Sequence, residues 1–101
     1  RVVLKAYATW CGSCTKIAPA FDKLADEAAA ASPDPAKREK KRIFGTFDID
    51  AAPALKAQYG VTTVPHFVVV DGGDVTSVRA SYVGSSAVEV AALVASQLWN
   101  S

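Results

Sequence analysis

The residues best placed for chemistry are Cys11 and Cys14, the only two cysteines, which lie in the run Trp10-Cys11-Gly12-Ser13-Cys14. Two intervening residues bring both sulfurs to the first turn of one helix, where they can join as a disulfide or separate as a dithiol. The chemistry suited to that spacing is reversible thiol–disulfide exchange. At a helix start, unpaired backbone N–H groups and the macrodipole favour an anion, so Cys11, the more N-terminal sulfur, is the expected nucleophile. Cys14, one turn further in and shielded by the helix, is expected to resolve the mixed disulfide formed at Cys11.

Two plainer roles compete for the pair. A purely structural disulfide would close so short a loop that it would restrict the unfolded chain very little. A zinc ion or iron–sulfur cluster needs about four ligands. The chain offers two cysteines and the lone histidine, His66, so no metal is expected without a second chain. Trp10 beside the pair and the strand-then-helix context favour redox work.

The elements that must position these sulfurs follow from periodicity. Residues 1–8 read as a buried strand, with Val2, Val3, Leu4, Ala6 and Tyr7 interrupted by Lys5. After the cysteines, Ile17, Phe21, Leu24 and Ala28 recur on one helical face, while Lys16, Lys23, Asp26 and Glu27 lie elsewhere. Pro19 falls inside that helix and is expected to kink it. Ser32-Pro33-Asp34-Pro35 ends it, and the basic cluster Lys37 to Arg42 reads as a solvated loop or helix end with no assigned role. Residues 43–49 form a second strand. Asp50 and Pro53 then supply the cap and first-turn proline of a short helix ending at Gly60. Phe67 to Val70 is a third strand, Asp71-Gly72-Gly73-Asp74 a hairpin turn, and residues 75–83 a fourth strand, with Val78, Ala80 and Tyr82 expected inward. Ser86 and Glu89 form a capping box for a last helix whose inward stripe is Ala87, Val90, Ala91, Val94 and Leu98. Trp99 is expected to pack that helix.

At 101 residues and 50% apolar composition, the expected unit is one domain spanning 1–101 with a real core. A net charge of +1 gives no global preference for nucleic acid or an anionic membrane. No apolar run approaches the roughly 20 residues that span a bilayer, so no membrane insertion is expected. The chain starts at Arg1 on an apolar strand and has no methionine, which points to a processed or shortened chain. Any targeting segment would then be lost, leaving localisation open between the cytoplasm and an organellar lumen.

The order βαβαββα, with the dithiol after the first strand and Val64-Pro65 before the third, resembles the thioredoxin family. The resemblance rests on Trp10-Cys11-Gly12-Ser13-Cys14, on Pro19 five residues after the second cysteine, and on Pro65. Phe47-Asp48-Ile49-Asp50, Tyr59-Gly60-Val61 and Val83-Gly84 add to it. It implies an α/β fold with a four-stranded mixed central sheet flanked by helices, and a cis peptide before Pro65. It also implies a substrate-facing surface of Trp10, Gly12, Ser13, Val64, Pro65 and Gly84, with the Val64 backbone pairing an extended substrate segment. Trp10 is either a substrate platform or a lid over the first turn. His66 invites a catalytic reading, but alternation turns it away from the side of Pro65, so a structural or solvent-facing role is expected.

Three departures from the family bear on function. The strand and helix that usually precede the first strand here are missing, which should leave residues 43–48 at a sheet edge, prone to marginal stability or weak dimerisation through that edge. Ser13 replaces the usual proline between the cysteines. Lys5 stands where the family places a buried acid, on the face of Val3 and Tyr7 and under the inner sulfur. Its ammonium would stabilise a Cys14 thiolate, or, neutral, accept the Cys14 proton; alternatively an open strand face leaves it merely solvated.

The resemblance therefore implies a protein-disulfide reductase working through a Cys11/Cys14 cycle in electron transport and cell redox homeostasis. Its redox group is the dithiol itself, with no further cofactor. Its partners would be disulfide-containing proteins and an upstream thiol reductase. Ser13, in place of the histidine of protein disulfide isomerases, favours reduction over isomerase or oxidase activity. A different class is a non-catalytic protein-binding module using the Pro65 loop, which the presence of both cysteines opposes.

Overall fold

The computed structural model describes residues 2–31, 43–71 and 74–99. The expected loop and basic cluster of 32–42 and the two turn glycines at 72–73 lie outside the described residues. The elements run β1 (Val2–Tyr7), α1 (Gly12–Ala31), β2 (Ile43–Asp48), α2 (Pro53–Gln58), β3 (His66–Asp71), β4 (Asp74–Val83) and α3 (Ala87–Val94), then a π-helical turn over Ala95–Trp99. This is the βαβαββα order read from the sequence.

The sheet order is β2-β1-β3-β4, with β1 parallel to β2 and antiparallel to β3, and β3 antiparallel to β4. β2 lies at the edge where it was expected. Burial on both faces explains the near-continuous apolar runs of β1 and β3. Val3, Phe67 and Val69 pack under Ile17 and Phe21 of α1 and Val90 and Val94 of α3. The alternate residue Ala6 packs with Phe47, Ile49, Val61 and both cysteines, and Leu55 and Tyr59 close that second cluster from the α2 side. Helices thus cover both faces of the sheet. Because Cys11 and Cys14 belong to the second cluster, the reactive end of α1 is held by the same apolar contacts that fix β2.

Three local expectations are corrected. Asp50 does not cap α2: the N-cap is Ala52, without a side-chain cap bond, and Pro53 at the first helical position lacks an N–H that would need one. The helix end is as expected, since Gly60 takes φ 64°, its N–H bonds the Ala57 carbonyl, and the Val61 N–H reaches the Lys56 carbonyl. Val78 is not inward but 48% exposed, because the β3–β4 register shifts between Val69↔Ala80 and Val70↔Val78. That extra residue turns Val78 to the opposite face from Ala80. Finally, Ser86 does cap α3 by accepting the Glu89 N–H at 3.3 Å, but the Ser86 N–H donates to the Tyr82 hydroxyl oxygen, also at 3.3 Å.

Candidate functional site

β1 runs straight into the site. Its last turn closes with the Cys11 N–H bonded to the Ala8 carbonyl at 3.1 Å, and α1 starts at Gly12. Cys11 therefore occupies the position just ahead of the helix, and its Sγ accepts the Cys14 backbone N–H at 3.2 Å. A sulfur here takes the part that Ser or Asp plays at other helix starts, satisfying an otherwise unpaired donor. The same geometry meets an anionic sulfur with an N–H dipole and the positive end of the helix. Both cysteines are free thiols and nearly covered, Cys11 at 8% exposure and Cys14 at 3%.

The Cys11 thiol also donates to the Val64 carbonyl at 3.6 Å. That carbonyl belongs to the cis Val64–Pro65 peptide, 53 residues away in sequence, so the loop stands across the sulfur as expected. The loop is tied in turn to β4, because the Gly84 N–H bonds the Pro65 carbonyl at 3.1 Å.

Gly84 holds φ 143°, and a Cβ there would come within 2.6 Å of the Tyr82 hydroxyl, the group that supports the start of α3. Gly84→Ala is therefore expected to cost about 1–3 kcal/mol from backbone strain alone, read as a lower urea midpoint. An unchanged midpoint would show that the turn has another conformation open to it. Gly12 meets no such limit, since a Cβ there would find open space.

Cys14 differs sharply from Cys11 in its surroundings. Burial first, and then a hydrogen bond with Cys11 that keeps the proton in place, push its thiol up to about 11, against lowering by the Ala8 backbone and by Lys5. Lys5 therefore lies in electrostatic reach of the inner sulfur. The strand face of this lysine is not left open: the residue is 5% exposed because α1 covers it. Its Nζ stands 5.2 Å from the Phe21 ring centre and 5.8 Å from that of Tyr7. It borders a cavity of about 470 Å³ whose wall includes Cys14, Tyr7, Thr15, Thr46 and Asp22.

Trp10 is 69% exposed, and its indole N–H donates to the Asp50 carboxylate at 2.9 Å. Asp50, read from the sequence as a helix cap, is thus the residue missed at this site. The pairing of Phe47-Asp48-Ile49-Asp50 with the motif in one resemblance was its only signal. Ser13 is exposed on the same outer turn.

His66 is buried rather than solvent-facing, at 8% exposure, and its Nδ1 has no hydrogen-bond partner. Burial lowers the imidazole below its ordinary value. The unfolded chain therefore takes up the proton first as pH falls, and folding stability declines below about pH 6.5. His66→Gln is expected to flatten that decline: the urea midpoint lost between pH 7.5 and 5.5 should be smaller than in the unaltered protein. Equal losses would remove His66 as a cause.

Among the described residues there is no group of three or more His, Cys, Asp or Glu that could hold a metal ion. None of the described helices is long and apolar enough to cross a membrane.

The Thioredoxin family model matches residues 1–96. The chain is 37% identical over 95 residues to the H-type thioredoxin of Chlamydomonas reinhardtii, covering 93% of this chain and 72% of that protein. It is 36% identical over 73 residues to thioredoxin-1 of Caenorhabditis elegans, covering 72% of this chain and 54% of that one. Thioredoxin of Chlorobaculum thiosulfatiphilum is matched at 30% over 73% of this chain, which spans 59% of that protein. The chain thus spans little more than half the length of two of these relatives. Among solved structures, the germline-specific thioredoxin Deadhead of Drosophila melanogaster aligns with a TM-score of 0.78 at 25% identity, over 95% of this chain and 79% of that one. Reduced thioredoxin of Schistosoma mansoni aligns at 0.74 and 27%, over 94% and 76%.

Proposed function

The chain belongs to the thioredoxin family, and from that premise we propose that it is a thiol–disulfide oxidoreductase that reduces disulfides in other proteins. The observation that carries this reading is the placement of Cys11 Sγ, which takes the Cys14 N–H at the start of α1 and faces the Val64 carbonyl beside cis Pro65. One sulfur is thus set at the start of a helix, opposite a loop carbonyl and beside the exposed turn of Gly12 and Ser13.

In the first step the Cys11 thiolate attacks one sulfur of a substrate disulfide. A Cys11–substrate bond forms, the substrate S–S bond breaks, and the departing sulfur leaves as a thiolate that takes a proton from water. In the second step the Cys14 thiolate attacks Cys11 Sγ, the Cys11–Cys14 disulfide forms, and the second substrate sulfur leaves. The substrate gains two electrons and the protein loses two, so an upstream thiol reductase must restore the dithiol. The redox group is the cysteine pair, and no other cofactor enters.

Substrate binding falls to the open surface around Cys11. The backbone at Val64 and Pro65 offers an edge to an extended segment. Trp10 offers an apolar face, and its bond to Asp50 supports a platform more than a lid. Gly12 and Ser13 line the outer turn, and Gly84 supports the Pro65 loop from behind.

The test is reduction of insulin with dithiothreitol as the electron source, followed by the reduction potential of the Cys11/Cys14 pair. Accelerated precipitation of the insulin B chain, with a potential near the thioredoxin value of about −270 mV, is expected. A potential near −180 mV or above would instead indicate an isomerase or oxidant. No acceleration at all would leave a binding module.

A further inference from the structure

A lysine covered to 5% exposure ordinarily has a carboxylate partner, because taking a charge out of water is costly. Among the described residues Lys5 has none: the ion pairs there are Lys23–Glu27 and Arg79–Asp71. Its nearest compensation is the faces of the Tyr7 and Phe21 rings. It shares a cavity wall with the Cys14 thiol, whose surroundings disfavour ionisation. The cavity thus sets a lysine with no carboxylate partner among the described residues beside a covered sulfur that must become an anion to resolve a mixed disulfide.

We propose that the Lys5 ammonium is the positive charge that holds the Cys14 thiolate while it attacks the mixed disulfide at Cys11. This deepens the reading above and rests on Cys14 being the resolving thiol. Lys5 acts through Cys14 and touches no substrate atom, so it is a positioning residue. The Cys14 proton leaves to water in the cavity. The Cys14–Cys11 bond forms, the Cys11–substrate bond breaks, and the leaving sulfur carries away the electron pair.

The site also sets the order of events. While Cys11 is a thiolate, its hydrogen bond and its charge both keep the proton on Cys14. Once Cys11 is tied up in a neutral mixed disulfide, both restraints vanish. Burial alone then opposes ionisation, and the Ala8 backbone and Lys5 remain in favour. Lys5 is then the charged group promoting resolution, at the step where resolution is needed. Among the described residues the titratable groups around this cavity are Lys5 and Tyr7 from β1 and Cys14 and Asp22 from α1, while β2 contributes Thr46. Asp22 is exposed, so solvent screens its opposing charge.

The test uses the full chain with Cys11 converted to a mixed disulfide with 2-nitro-5-thiobenzoate, whose coloured thiol is released when Cys14 attacks. If Lys5→Met raises the Cys14 midpoint by about one unit, it lowers the thiolate fraction tenfold. A more basic thiolate is a better nucleophile, with a Brønsted slope of about 0.4–0.5, so release should slow by about threefold at neutral pH. The pH at half-maximal release should move upward, and Lys5→Arg should restore both. The urea midpoint of Lys5→Met should meanwhile rise, since a charge with no ion-pair partner among the described residues has left a mostly covered strand face while the packing on Tyr7 and Phe21 is kept. Slower resolution in a more stable protein cannot come from disrupted folding. Identical release rates and pH midpoints in Lys5→Met and the unaltered protein would overturn the proposal and leave the parent reading intact. Equally fast release from Cys14→Ser would instead overturn Cys14 as the resolving thiol.

Discussion

Cys11→Ser is expected to abolish disulfide reduction, to the level of dithiothreitol alone, whereas Cys14→Ser is expected to complete the first exchange and then stall. The change in Cys11→Ser is one atom, and a serine can still accept the Cys14 N–H that Cys11 Sγ accepts at 3.2 Å. The fold should therefore survive while the nucleophile is lost, because a hydroxyl without an activating base is a weak nucleophile at neutral pH. In Cys14→Ser the outer sulfur keeps its place opposite the Val64 carbonyl. Its mixed disulfides should accumulate as protein-sized adducts on a non-reducing gel and collapse on adding dithiothreitol.

The difference between the two sulfurs also predicts the order of labelling. With its thiol pushed up to about 11, chiefly by burial, Cys14 stays protonated at pH 7. Limiting iodoacetamide at neutral pH should thus label Cys11 first, as read by peptide mass spectrometry. Labelling of Cys14 first would reverse the roles of the two cysteines and, with them, the meaning of both serine variants.

What could be read from the sequence was what local spacing controls. Ile17 and Phe21, four residues apart, do face the sheet, and the cysteine pair does begin the helix. Pro65 was legible because only proline makes a cis bond common, and the family resemblance singled it out. What escaped was set by contacts distant in sequence. Asp50 looked like a helix cap, yet its partner is Trp10, 40 residues earlier. Val78 fitted a period-2 pattern that one extra residue in β4 breaks. The Ser86–Glu89 box was half right because the Tyr82 hydroxyl, brought there by the turn at Gly84, reaches the Ser86 N–H instead. For Lys5, strand alternation gave the face but not its cover, which Phe21 supplies from α1.

That cover makes Phe21 the side chain whose loss should cost most. It is 2% exposed, its ring centre lies 5.6 Å from those of both Phe44 and Phe67, and the Lys5 ammonium sits 5.2 Å from its face. One residue therefore joins α1 to the edge strand β2, to the central strand β3 and to the buried cation of β1. Removing such a side chain forfeits its transfer free energy and leaves a void, so Phe21→Ala is expected to cost about 3–5 kcal/mol. Domains of this size have about 5–15 kcal/mol in all. At about 4–8 °C per kcal/mol, the melting temperature should fall by roughly 12–40 °C, enough to leave a large unfolded fraction at working temperatures. Phe21→Leu keeps most of the contact and should lose far less. The same substitution strips the ring from Lys5 and opens its cavity toward the core. In whatever fraction of Phe21→Ala folds, water then screens the ammonium from Cys14, and release of the Cys11-bound thiol should slow as well. A loss below about 1 kcal/mol by urea titration would mean that α1 is not what seals this face of the sheet, and the burial of Lys5 would then need another cause.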